Sequence, residues 1–161
     1  MVGADAADDA VARARQLDGL GVGLHLVVVC GKPVLPASEI PDLVAGNGEF
    51  DTNLVRSGFR YFFLPKVRRQ LAREIRAQFE AFERSGLELD HVNAHNHMHL
   101  HPTILSHIIR IGSEFGVSAV RVPHEPVDLP GGRRATVGER IGTACLRVWI
   151  GLMRFRLRRA G

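Results

Sequence analysis

The 161 residues are 45% hydrophobic and 24% charged, which excludes both a disordered tail and a membrane bundle. Apolar runs stop short of the roughly 18 residues a spanning helix needs, and the first residues lack the basic and apolar sections of a signal peptide. The net charge of +4 is uneven: from Arg133 onward eight arginines face Glu139 alone, leaving this segment at +7 and the rest at −3. The basic character belongs to the tail, and no recognition motif accompanies it, so no nucleic-acid partner is expected. Cys30 and Cys145 lie far apart, which favours a reducing compartment; the expected location is the cytoplasm.

The first helix is expected over about 4–17, closed by Asp18-Gly19. Residues 22–29, β-branched and bounded by glycines, read as a buried strand. Residues 31–60, rich in Gly, Pro, Asn and Asp, read as one long loop. From Pro65 the residues Val67, Leu71, Ile75, Phe79 and Phe82 trace a helical apolar stripe, with Pro65 suited to the first turn and Gly86 to the end. An extended segment follows over 87–95. A helix opens at Pro102, and a third strand spans 117–122, halted by Pro123. A last helix over 135–160 places Ile141, Cys145, Val148, Leu152 and Phe155 on one stripe, with Arg140, Arg147 and Arg154 elsewhere on the same turns. Either it packs on the domain or it rests as a basic amphipathic helix on an anionic membrane, a peripheral contact. The alternation of helices and strands predicts α/β architecture with parallel strands.

The chemistry concentrates in Asp90-His-Val-Asn-Ala-His-Asn-His-Met-His-Leu-His-Pro102, which holds five of the eight histidines. While the chain stays extended, His91, Asn93, His95, His97, His99 and His101 share one face. Imidazoles on a buried face need a donor, an acceptor or a metal for each ring nitrogen. A row of them entering a strand-to-helix junction suits a divalent ion, although one ion cannot use them all. His25 interrupts an apolar run and is either a hydrogen-bonded core histidine or a second ligand. If its strand lies beside that of His95, the two imidazoles meet at the carboxyl ends of parallel strands, where α/β folds bind ligands. Arg121 either stabilises an oxyanion or pairs with a nearby acid. Asp90 and Glu88 read as solvated residues at the strand entry. Gly-rich phosphate loops and a serine nucleophile elbow are absent.

Gly23-Leu-His-Leu26, His91-Val-Asn-Ala-His-Asn-His-Met-His99 and Val120-Arg121 together resemble the YdjC-like carbohydrate deacetylases, over nearly the whole chain from Ala4 to about Glu125. Asn93 and Val122-Pro-His-Glu-Pro126 resemble the branch associated with hopanoid biosynthesis. The resemblance implies a partial (β/α)-barrel-like deacetylase domain over 1–132, with 133–161 as a basic amphipathic helix of the same domain. It implies hydrolysis of N-acetylated sugars with a divalent metal ion, magnesium or zinc. The metal ligands it carries over are His25 and His95; the catalytic candidates are His97 or His91, to protonate the leaving amine, and Arg121, to stabilise the oxyanion.

This sequence lacks the family's opening Asp-Asp-Phe-Gly motif, and a full barrel takes roughly 250 residues, so the chain reads as truncated at both ends. Asn93 stands where many members carry an acid. Weak metal binding and little turnover are therefore expected. An inactive remnant whose barrel edges are covered by a partner or a homodimer is the alternative, and a membrane-surface accessory protein a further one.

Overall fold

The computed structural model describes residues 1–122 and 137–160, with 137–146 given as backbone only. The chain divides into two compact units, Met1–Arg121 and Val122–Gly161. In the first, the elements run α1 (Ala7–Ala14), β1 (Val22–Leu26), α2 (Leu54–Phe63), α3 (Pro65–Arg84), β2 (Leu89–Ala94), a tight turn over His95–Leu100 and α4 (Pro102–Gly112). The second contains α5 (Val137–Ala160). The architecture is α/β with parallel strands, β1 and β2 pairing in register His25 to Asn93 and Leu26 to Ala94.

Period-two patterning sorts the two strands into faces. Leu24, Leu26, Val92 and Ala94 are buried against the helices, while Gly23, His25, His91 and Asn93 alternate onto the opposite, half-open face. The stripe Val67, Leu71, Ile75, Phe79 and Phe82 of α3 closes the core from the helical side, joined by Ile104, Ile108 and Ile111 of α4. Gly112 sits under Val117 and Phe79, where a side chain would collide.

Two expectations change. The third strand over 117–122 shrinks to a single parallel bridge, Val92 to Val120, whose bonds run from the Val92 N–H to the Ala119 carbonyl and from the Arg121 N–H to the Val92 carbonyl. The expected loop over 31–60 contains a helix, α2. Asn53 caps it, its side-chain oxygen accepting the Arg56 N–H at 2.9 Å. The Gly, Pro, Asn and Asp content of 31–60 masks this helix in the sequence. Ser57 faces inward, and so does Tyr61, whose hydroxyl donates to the Val28 carbonyl.

The remaining loop is held by a polar row on α3. Gln70, Glu74 and Gln78, four residues apart, are all buried beside the apolar stripe. Gln78 accepts the Val27 N–H at 2.9 Å and donates to the Val27 carbonyl at 2.6 Å. Glu74 accepts the Val34 and Leu35 N–H groups at 2.9 and 3.0 Å, and Gln70 accepts that of Asp42 at 2.9 Å. Buried loop backbone needs such partners, because an unmet N–H away from water is destabilising.

In the second unit, Val148, Leu152 and Phe155 of the expected stripe are exposed, and the Arg159 guanidinium lies 5.5 Å over the Phe155 ring. The side chains of Ile141 and Cys145 lie outside the described residues, as does the turn Pro123–Pro126. Among the described residues no helix is long and apolar enough to cross a membrane.

Candidate functional site

Parallel pairing of β1 with β2 brings His25 beside Asn93, and the end of β2 delivers His95. The His25 Nε2 lies 3.5 Å from the His95 Nδ1, with the rings edge to face. On its other side His25 Nδ1 lies 2.5 Å from the Asn93 Oδ1. The amide oxygen can only accept, so Nδ1 carries the proton and Nε2 presents a lone pair towards His95. Burial lowers the His25 pKa, against the Asn93 hydrogen bond, which raises it; the neutral, ligating form is favoured.

This pair passes a donor-set test for a divalent cation. Two ligands on one tetrahedral ion at about 2.0–2.1 Å would stand about 3.3 Å apart, close to the separation found. The Asn93 bond to the far nitrogen is the kind of support that fixes the tautomer of a ligating histidine. Asn93, read from sequence as a weakening replacement, is thus an orienting group. Among the described residues no set of three His, Cys, Asp or Glu side chains converges on one point.

The single histidine face does not continue beyond Ala94. Asn96 and His97 adopt left-handed backbone, φ 50° and 54°, and reverse the chain. Asn96 tolerates this region through its short polar side chain, while His97 carries about 1–2 kcal/mol of strain there. The turn is held from inside by His99, 1% exposed, whose Nδ1 accepts the Ala94 N–H at 3.2 Å. His97 is exposed with its ring 5.8 Å from that of His99. His101 is carried away altogether: its Nε2 bonds the Gly58 carbonyl of α2 at 3.0 Å, and its ring faces Tyr61 and Phe62. An extended chain would have aligned these side chains; the turn separates them into one at the cation pair, one exposed and two structural.

His91 stays on the strand face. Its Nδ1 pairs with Asp90 Oδ2 at 2.7 Å, so Asp90 is an orienting carboxylate as well as a solvated one. Its ring covers Gly23, where a Cβ would come within 2.5 Å of the His91 Nε2. Glycine here permits close approach of strand and imidazole. Gly23→Ala is expected to displace the His91 ring and break its bond to Asp90, at about 1–2 kcal/mol in stability. Imidazole NMR resonances of a folded variant that match the parent would show that Gly23 sets no such contact.

Arg121 is exposed, and the bridge at Val120 places it by alternation on the face of Asn93. A groove of about 730 Å³ between α1 and the end of α3 is lined by none of the histidines. His25, His91, Asn93 and His95 are each half-buried.

Residues 1–160 match the YdjC-like protein family. A carbohydrate deacetylase of Brevibacillus brevis is 37% identical over 123 residues, covering 76% of this chain and 46% of that protein. A chitooligosaccharide deacetylase of Salmonella paratyphi B is 31% identical over 159 residues, covering 90% of this chain and 59% of the relative. The chain therefore spans about half the length of the curated relatives it matches. A crystal structure from Enterococcus faecalis, whose description names cellobiose-phosphate cleavage, superposes with a TM-score of 0.63 at 23% identity, over 78% of this chain and 47% of the other. That likeness concerns the fold. Family match and pairwise identities agree, and the chain belongs to the YdjC-like protein family.

Proposed function

We propose that this chain acts as a carbohydrate deacetylase, removing the acetyl group of an N-acetylated sugar at a divalent ion, zinc or magnesium, held by His25 and His95. The observation that carries the reading is the 3.5 Å approach of two imidazole nitrogens, one on β1 and the other just past the end of β2. The names of the related proteins support the substrate class. The Asn93 variant of the motif supports a place in the hopanoid-associated branch.

When bound, the ion supplies Lewis-acid polarisation of the acetamide carbonyl and a water acidified towards neutrality. The chain's own residues do the rest. Asn93 fixes the His25 ring so that its lone pair, and not its proton, faces the cation. Arg121 supplies positive charge on the same face for the oxyanion of the tetrahedral intermediate. His91, oriented by Asp90, is the first candidate to give a proton to the departing sugar amine. His97 is the second candidate donor and stands exposed at the turn.

With two imidazoles as the donors brought together among the described residues, divalent binding is expected to be weak and acetate release slow. Titration calorimetry with zinc and magnesium tests the site. His25→Ala and His95→Ala should each weaken uptake by more than about tenfold, Asn93→Ala by about tenfold, and His97→Ala should leave it unchanged. Uptake indifferent to His25 and His95 would remove the proposed centre. Rapid acetate release from N-acetylated oligosaccharides by the 161-residue chain would contradict the expected slow rate.

A further inference from the structure

Helix α2 is amphipathic twice over. Ser57 and Tyr61, one turn apart, face the core. Val55, Phe59, Phe62 and Phe63 follow the spacing i, i+4, i+7, i+8 and form the opposite stripe. This outward stripe is exposed, Val55 at 84%, Phe59 at 64% and Phe63 at 57%, with Leu64 continuing it at the helix end. The rings touch one another: the Phe59 and Phe63 centroids are 4.4 Å apart, those of Phe62 and Phe63 4.8 Å. Large aromatic side chains clustered in water mark a surface that meets something else.

The charges around the stripe say what. From Leu54 to Gln70 there are five basic residues and no acidic one. Arg56 is paired with Asp51 and Lys66 with Asp42. Arg60, Arg68 and Arg69 take part in none of the ion pairs found among the described residues, and the Arg68 guanidinium lies beside the stripe, donating to the Phe62 carbonyl at 3.4 Å. A second copy of this chain docking by two-fold symmetry would bring these arginines against their own equivalents, and like charges oppose association. An apolar stripe rimmed by cations is complementary to a bilayer surface with anionic headgroups, into which aromatic rings insert while arginines stay at the phosphates.

We propose that the outward face of α2 is a bilayer-docking surface, with Val55, Phe59, Phe62 and Phe63 entering the interface of an anionic membrane and Arg60, Arg68 and Arg69 contacting its phosphates. The inference is independent of the deacetylase reading, since none of these residues belongs to the histidine site. It also differs from attachment through α5, whose Val148, Leu152 and Phe155 are exposed as well.

Sedimentation of the 161-residue protein with vesicles of phosphatidylcholine alone, or mixed with phosphatidylglycerol, tests it. The expected result is binding to the mixed vesicles only. Combining Phe59→Ser with Phe63→Ser should lower the partition coefficient more than tenfold. Each of Arg60→Gln, Arg68→Gln and Arg69→Gln should lower it about fivefold. Phe59, Phe63, Arg68 and Arg69 are exposed and Arg60 is half-buried, and an unchanged circular dichroism melting curve establishes that the variants fold. Equal binding to both vesicle types, or none, overturns the proposal. So does binding that survives the α2 substitutions and disappears with Leu152→Ser and Phe155→Ser. A dimer in size-exclusion chromatography that Phe59→Ser dissociates would identify a second copy as the occupant and equally overturn it.

Discussion

Replacing Glu74 with alanine is expected to lower the unfolding free energy by about 3–5 kcal/mol. Glu74 is fully buried on α3, yet it touches no cation among the described ion pairs. Its carboxylate is satisfied instead by the Val34 and Leu35 N–H groups and the Gln78 amide, at 2.8–3.0 Å. Truncation leaves the half-buried Val34 and Leu35 N–H groups without their acceptor and removes a fully buried side chain. Glu74→Gln keeps one acceptor oxygen but presents an NH₂ group to a loop N–H, so an intermediate loss is expected. Urea denaturation with tryptophan-independent circular dichroism measures both. An alanine variant within about 1 kcal/mol of the parent would mean that the loop over 31–53 is held by something other than this row.

Acidification from pH 7 to 4 is expected to destabilise the first unit strongly, through His99 and His107. Burial is the main cause that pushes both down to about 4: His97 adds to it at His99, and Arg110 and Arg68 at His107. The sign follows from proton binding. The unfolded chain takes up these protons near pH 6.5, the folded one near 4, so the stability is fully present above about 6.5 and is lost as the pH falls through that window.

For His99, 1% exposed, the loss reaches up to about 3 kcal/mol; for half-buried His107 it is smaller. Glu74 works the other way. Burial raises its pKa despite its hydrogen bonds, so its contribution is favourable at low pH and is lost as the pH rises through its folded value. His25 and His101, also lowered by burial, lose stability in the same direction, and the lowered Asp51 carboxyl adds its loss at the most acid end. The buried Nε2 atoms of His99 and His107 have no hydrogen-bond partner among the described residues. His107→Leu should accordingly flatten part of the acid limb without loss of stability at pH 7. Melting temperatures equal at pH 7 and pH 4.5 would show that neither imidazole is buried as described.

Much of the helical framework was legible because its signals are local. The four-residue recurrence from Val67 to Phe79, Pro65 at a helix start and Gly86 after its end depend on neighbours in the chain, and α3 follows them closely. The strand at Val22 and the one ending at Ala94 were equally plain. Helix α2 was not, because the Gly, Pro, Asn and Asp content of 31–60 reads as loop, though Asn53 before a 55, 59, 62, 63 stripe was a readable signal. The six-residue alternation around His95 was misleading past Ala94, since period-two reasoning holds only while backbone stays extended.

By itself, the sequence determined most of the elements, α2 and the third strand excepted, with the core stripe and the two histidines worth placing together, because periodicity and residue chemistry act over a few positions. Only the tertiary structure decided that His25 and His95 approach to 3.5 Å, that Asn93 orients one of them, and that the other histidines are dispersed by two left-handed residues. It also decided that Gln70, Glu74 and Gln78 bind the loop backbone. Such partners lie 28 to 51 positions apart, and pairing over that distance depends on how the strands and helices pack, a matter no local pattern encodes.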